Sequence, residues 1–248
     1  MATIDHCLFC FETLDAELSS RTPLSLAAIQ TSYAEYKGSP SETDTGTKTK
    51  TDTDTETETE TATDAKQLGP SPLFVTWNTD EDGDEPGEYN LRGCIGTFEA
   101  QPLERGLSTY ALTAALDDTR FRPIAKRELP RLQVAVTLLT DFEPARDALD
   151  WELGKHGLRI SFGSGSGRQQ YGATYLPDVA PEQGWTKEET VDSLMRKAGW
   201  QNPAGRSRGA ASQPWTQVAS FKTVRYQGAK TSLPYAEYKA WRDWADKK

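Results

Sequence analysis

Cys94 stands in the run Leu91-Arg92-Gly93-Cys94-Ile95-Gly96, with one glycine before it and a second two residues on. Glycines around a strand-end cysteine permit positive φ and close backbone approach, the arrangement that aims amides at an anion or oxyanion. Arg92 lies two residues away on the same strand face, where its charge would favour a thiolate. These residues make Cys94 a candidate nucleophile and Leu91 to Gly96 a candidate site. The plainer reading of the same residues is a small buried hydrophobe beside glycines that mark a bulge. A nucleophilic thiol also calls for a base, and the histidines of this chain are His6 and His156. His156 precedes a strand, and only the fold decides whether it reaches Cys94.

The other cysteines, in His6-Cys7-x-x-Cys10, share a helix face and offer at most three soft ligands with His6. A structural zinc needs four, so packing is the better account, and no metal or cofactor is expected. The acidic turn Asp80 to Glu85 fails as a calcium loop, because Gly83 is misplaced and no Glu closes it. The loop Gly163 to Gly167 matches neither a nucleophile elbow nor a dinucleotide loop. Arg120-Phe121-Arg122-Pro123, followed by Lys126, Arg127 and Arg131, concentrates positive charge. It could hold a phosphate or a nucleic-acid backbone; a solvated face with ion pairs to Asp117, Asp118 or Glu128 is the ordinary alternative.

The elements that must position these groups are legible from periodicity. Ile4, Leu8, Phe11 and Leu18 share a helical stripe, so residues 2–18 read as an amphipathic helix. Ser25 to Tyr36 reads as a second, closed by Gly38 and Pro40. Leu73 to Trp77 and Tyr89 to Thr97 read as a hairpin, and Pro102 opens a helix along Leu103, Leu107, Tyr110 and Ala114. Leu132 to Leu138, Leu158 to Phe162 and Tyr171 to Leu176 alternate as strands. Thr186-Lys-Glu-Glu189 is a capping box for a helix that Gly199 ends. A last strand, about Trp215 to Tyr226, precedes a helix carrying Tyr238, Trp241 and Ala245. Without strict βαβ alternation, the fold class is α/β with a mixed, mainly antiparallel sheet flanked by helices.

Composition narrows the classes of function. Between Glu42 and Asp64, eight carboxylates face two lysines, −6 of the chain's −9. With threonine alternating through 39–66 and no apolar face, that stretch reads as a disordered insert, and the rest is near neutral. A protein that coats duplexes would be basic. No apolar run is long enough to span a bilayer, and Met1-Ala-Thr-Ile-Asp5 lacks the basic start of a signal peptide. Three cysteines in a chain of 248 residues suit a reducing compartment, so cytoplasm, nucleus or both are expected, with no membrane partner.

The blocks together resemble the AMMECR-type domain family. Leu91 to Gly96 with Thr97-Phe98 looks like its hallmark, and Ala114-Ala115-Leu116-x-Asp118-x-Arg120-Phe121-x-Pro123 like its second block. Glu128-Leu129-Pro130, Thr174-Tyr175-Leu176-Pro177-x-Val179, Glu182-Gln183-Gly184-Trp185, Leu194 and Arg196-Lys197-Ala198-Gly199 continue the pattern. The likeness also reaches the Cys7-x-x-Cys10-Phe11 helix and makes one domain of 1–38 and 67–248 around the insert. It implies a larger and a smaller subdomain, the motif near the cleft between them, and an intracellular location. It brings no assigned activity. The expected function is a binding or interaction module. Its cleft would hold an unknown protein segment or a small anion through Arg92, the glycine amides and Arg120. The alternatives are a cysteine-dependent enzyme with Cys94 as nucleophile and nucleic-acid binding through Arg120 to Arg131.

Overall fold

The computed structural model describes residues 1–39, 69–80, 89–163, 169–201 and 213–248. Apart from their end residues, the insert at 39–66, the acidic turn after Asp80 and the Gly163 to Gly167 loop lie outside the described residues.

Six strands form one antiparallel sheet in the order β2-β1-β3-β6-β4-β5. They are β1 (Ser71–Thr79), β2 (Asn90–Gln101), β3 (Leu132–Pro144), β4 (Gly157–Gly163), β5 (Gln170–Tyr175) and β6 (Ala219–Pro234). Alternation explains them: Leu73, Val75 and Trp77 are sealed on one face while Phe74, Thr76 and Asn78 remain half-buried on the other. β6 is the longest at 16 residues and serves two neighbours, pairing β3 along Val224 to Pro234 and β4 along Ala219 to Tyr226.

Two apolar cores lie on the same face of this sheet. The larger packs α1 (Ile4–Leu18), α2 (Leu26–Gly38), α3 (Leu103–Leu112) and α6 (Tyr235–Ala245) with β1 and β3. The smaller gathers Leu158, Ile160 and Phe162 of β4 with Ala180 of α4 (Val179–Glu182), with Val191, Leu194 and Met195 of α5 (Lys187–Lys197) and with Trp151, Trp200 and Trp215. Helices on one face of an antiparallel sheet give the expected α/β class, with a larger and a smaller part joined through β6.

Some elements differ from the reading of the sequence. Helix α1 is buried almost all round rather than along one stripe, because it packs against α2, α3, α6 and the sheet at once. Even Glu12 is sealed there. Its carboxylate accepts from Arg21, from the Tyr238 hydroxyl (2.9 Å) and from the Leu24 amide (3.0 Å). The final strand starts after a 3-10 turn at Pro214–Gln217 and runs past Tyr226 through Gly228 to Pro234. The capping box of α5 is present, with the Thr186 hydroxyl accepting from the Glu189 amide at 3.2 Å. Gly199 stands beyond the helix end at φ +89°. Losing that cap in Thr186→Ala should lower the unfolding free energy by about 1 kcal/mol, read from urea denaturation.

Candidate functional site

The motif sits on β2, an edge strand of the sheet. Of the two properties expected of these glycines, neither Gly93 nor Gly96 uses the positive φ, and both use the close backbone approach. Their purpose is room. A Cβ at Gly93 would lie 2.1 Å from the Ala114 carbonyl oxygen. One at Gly96 would meet the Leu73 carbonyl at 2.3 Å and the Phe74 ring at 2.4 Å. The close approach at Gly93 comes from a turn of π-helix, Thr113–Asp117, that continues α3. Such turns displace backbone from the α-helical register and recur at functional sites.

Asp118 and Arg120, just beyond that turn, close the edge of the sheet. Asp118, 5% exposed, accepts the Cys94 N–H at Oδ2 (2.9 Å). Arg120 donates to the same carboxylate through Nε (2.9 Å) and Nη2 (2.7 Å), and through Nη2 to the Cys94 carbonyl (3.1 Å). The pair reproduces the donor and acceptor that a neighbouring strand would offer Cys94. Hydrogen bonds from Arg120, then from the Cys94 and Arg120 amides, hold the Asp118 carboxyl well below the usual carboxylate range despite burial. Arg120 also lies 5.4 Å from the Phe121 ring centroid.

The remaining candidates fall into place around this edge. The register slips between Trp77 and Asn78, leaving Arg92 as the extra residue of β2. Its Nε donates to Glu128 at 3.0 Å, so its charge answers a carboxylate rather than standing free beside the thiol. Of the basic segment, Arg120 pairs with Asp118 and Arg131 with Asp80, while Arg122, Lys126 and Arg127 are exposed. Leu91 is 44% exposed. Cys94 is half-buried, and its Sγ accepts from the Thr76 hydroxyl at 3.1 Å.

Both histidines are engaged elsewhere. His156 Nδ1 accepts from the Glu152 amide at 3.0 Å, and His6 Nδ1 accepts from Thr3 at 3.0 Å, with burial pulling His6 down to about 4. Cys7 and Cys10 are buried, and burial pushes the Cys7 thiol up to about 12. No group of three or more His, Cys, Asp or Glu suited to a metal occurs among the described residues.

Cys94 and Thr76 belong to the sheet face opposite both cores, and that face carries an aromatic row the sequence does not announce. Phe74 contacts Phe98 (centroids 5.2 Å), Phe98 contacts Tyr226 (5.7 Å), and Tyr226 stacks on Phe142 (5.1 Å). Phe98 of β2 reaches β6, with β1 and β3 between them, because the sheet curls. The curl is helped by the register shift near Phe98, between the Leu73–Thr97 and Ser71–Gln101 pairs. Tyr226 is sealed; its hydroxyl donates to the Tyr175 carbonyl (2.8 Å) and meets Thr174 Oγ1 at 3.0 Å. Only the alternating aromatic positions of four strands, taken together, could signal this row.

A family model described as AMMECR1 matches residues 9–226. An uncharacterized protein of Arabidopsis thaliana is 48% identical over 170 residues, covering 67% of this chain and 72% of the relative. One of Schizosaccharomyces pombe is 49% identical over 167 residues, covering 67% and 77%. Among solved structures, an uncharacterized protein from Pyrococcus horikoshii aligns with TM-score 0.52 at 26% identity, over 72% of this chain and 81% of that one.

Proposed function

The chain belongs to the AMMECR1 family, and from that premise we propose that it is a binding module which holds its ligand on the sheet face bearing Cys94. The observation that carries this reading is how fully Cys94 is engaged. Its N–H is taken by Asp118, its carbonyl by Arg120 and its sulfur by Thr76. An oxyanion site needs amides free to point at developing charge, and the Cys94 amide is not free. A general base within hydrogen-bond reach is the other need of a thiol nucleophile, and both histidines cap local backbone instead. The motif thus builds shape, with Leu91 and the outer side of Arg120 exposed beside the edge. No helix among the described residues is long and apolar enough to cross a membrane. The three free thiols suit cytoplasm or nucleus as the place of action.

A ligand that binds only the folded state raises the melting temperature by mass action. We expect that screening the full chain against pools of nucleotides, oligonucleotides, small anions and short peptides will find at least one stabilising pool. The same pool should stabilise Cys94→Ala to within about twofold in apparent affinity, a difference of roughly 0.4 kcal/mol. Stabilisation that disappears in Cys94→Ala, or turnover of a pool component that needs the thiol, would favour the cysteine enzyme instead.

A further inference from the structure

We propose that the sheet face opposite the two cores binds single-stranded nucleic acid, stacking bases on the Phe74–Phe98–Phe142 row and holding phosphates with Arg159 and Lys222. The proposal rests on the binding-module reading and names its ligand.

Charge on this face is one-sided. On β4 and β6, the positions alternating with core residues include Arg159, Lys222 and Lys230, all exposed. Arg159 pairs with Val224 and Ser161 with Lys222, so the two cations are diagonal neighbours, and Arg159 also bears electrostatically on Tyr226. Lys230 is paired with Asp178 at 3.3 Å, whereas no ion pair is made by Arg159 or Lys222 among the described residues. Along β1, β2, β4, β5, β6 and β3 as far as Thr140 the alternating positions of this face are free of Asp and Glu; Asp141 stands beside Phe142 past that point, and Asp178 reaches Lys230 from beyond β5. In a chain of net charge −9, two neighbouring cations that make no ion pair among the described residues favour an anion at that end of the face.

The aromatic row selects which anion. Phe142 is 39% exposed with its ring lying on Tyr226, and Phe98 and Phe74 are half-buried at 5–6 Å spacings. An acidic peptide would use the cations and leave these rings idle. A duplex hides its base faces. Unpaired bases with phosphates beside them use both, as on sheet platforms that stack two or three bases.

The test uses the full chain and a fluorescein-labelled oligouridylate of about ten nucleotides, within the site sizes usual for such platforms. Anisotropy is read at several salt concentrations. Phe142→Ala should weaken binding about tenfold, the lower range for one stacked base. The double variant Arg159→Glu, Lys222→Glu should weaken it by more than tenfold and flatten the logarithmic salt slope by about 1.4, two single-strand phosphates. All three side chains are exposed, so unchanged melting temperatures will show the variants folded. The triple variant Arg122→Glu, Lys126→Glu, Arg127→Glu should bind as well as the parent. The absence of saturable binding at low salt overturns the proposal. So does equal affinity for an abasic strand of the same length, or a preference for hexaglutamate. Loss confined to the triple variant would move the site to the basic segment and overturn it as well. If the oligonucleotide fails while another pool still stabilises the chain, the binding-module reading stands and only its ligand is wrong.

Discussion

Gly93→Ala is expected to cost about 3 kcal/mol of stability, at the upper end of what overpacking a well-filled site costs. For a chain of this size that lowers the melting temperature by roughly 10 °C. The added methyl would stand 2.1 Å from the Ala114 carbonyl oxygen and 3.2 Å from its carbon. Backbone on both sides leaves no flexible side chain to swing away. β2 is held on its other side by β1, with Gly93 opposite the sealed Trp77. The end of α3 is anchored by the Trp77 indole N–H, which donates to Ala111 at 2.9 Å, and the π-helical turn by the Ile124 amide on Ala115 at 2.9 Å. Gly172→Ala is the matched control. There the nearest atom is the Ile160 carbonyl oxygen at 3.5 Å, ordinary contact, and the change should stay within about 0.5 kcal/mol. Thermal and urea unfolding of the two variants make the comparison. A Gly93→Ala loss below about 1 kcal/mol, a third of the overpacking cost, would mean the π-helical turn yields easily.

The second large effect is expected at Asp118. Asp118→Ala strips the acceptor from the Cys94 N–H and the carboxylate from Arg120, for a cost of about 2–3 kcal/mol. Most of that belongs to the orphaned amide, because the Arg120 side chain is 55% exposed and water screens its lost pairing. Asp118→Asn keeps an acceptor for the amide and should lose about 1 kcal/mol. The pH dependence has a definite sign. A carboxyl held below its unfolded value of about 3.9 stabilises the fold above that pH. The contribution is lost progressively as pH falls from that value to the lower folded one. Between about pH 7 and pH 4 the gap between wild type and Asp118→Ala should therefore hold nearly constant, and narrow below. Opening the edge has a second consequence. An uncapped β2 offers unpaired N–H and C=O groups to other chains, so Asp118→Ala should self-associate more than wild type in sedimentation runs at matched concentration.

Much of this arrangement is legible in the sequence, although its meaning is not. Alternation and turn residues place a strand near each of the six, although the last runs on from Tyr226 to Pro234, and the capping box with Gly199 locates α5, because these signals are local. Asp118 and Glu128 stand out in the sequence as partners for nearby cations, and Arg120 does pair with Asp118 while Glu128 takes Arg92. The role of the glycines is hidden, since nothing near Gly93 in sequence says that Ala114 will press against it. The π-helical turn hides inside an unbroken helical stripe for the same reason. The aromatic row is invisible because Phe74, Phe98, Phe142 and Tyr226 sit on four strands that only the curl brings together.

The long strand β6 has a further consequence for how the chain is made. It lies between β3 and β4, and its Thr231 hydroxyl donates to Ala2 at 2.9 Å while its carbonyl accepts from Cys7 at 3.3 Å. During synthesis the first helix emerges long before the strand it must touch. Until residues 219–234 leave the ribosome, β3 and β4 have no common neighbour and the buried flank of α1 has no complete wall. Contacts of such sequence separation are slow to form and leave apolar surface exposed meanwhile. Both cores therefore wait on the same strand, and a chain cut short of residue 219 is expected to leave each of them open.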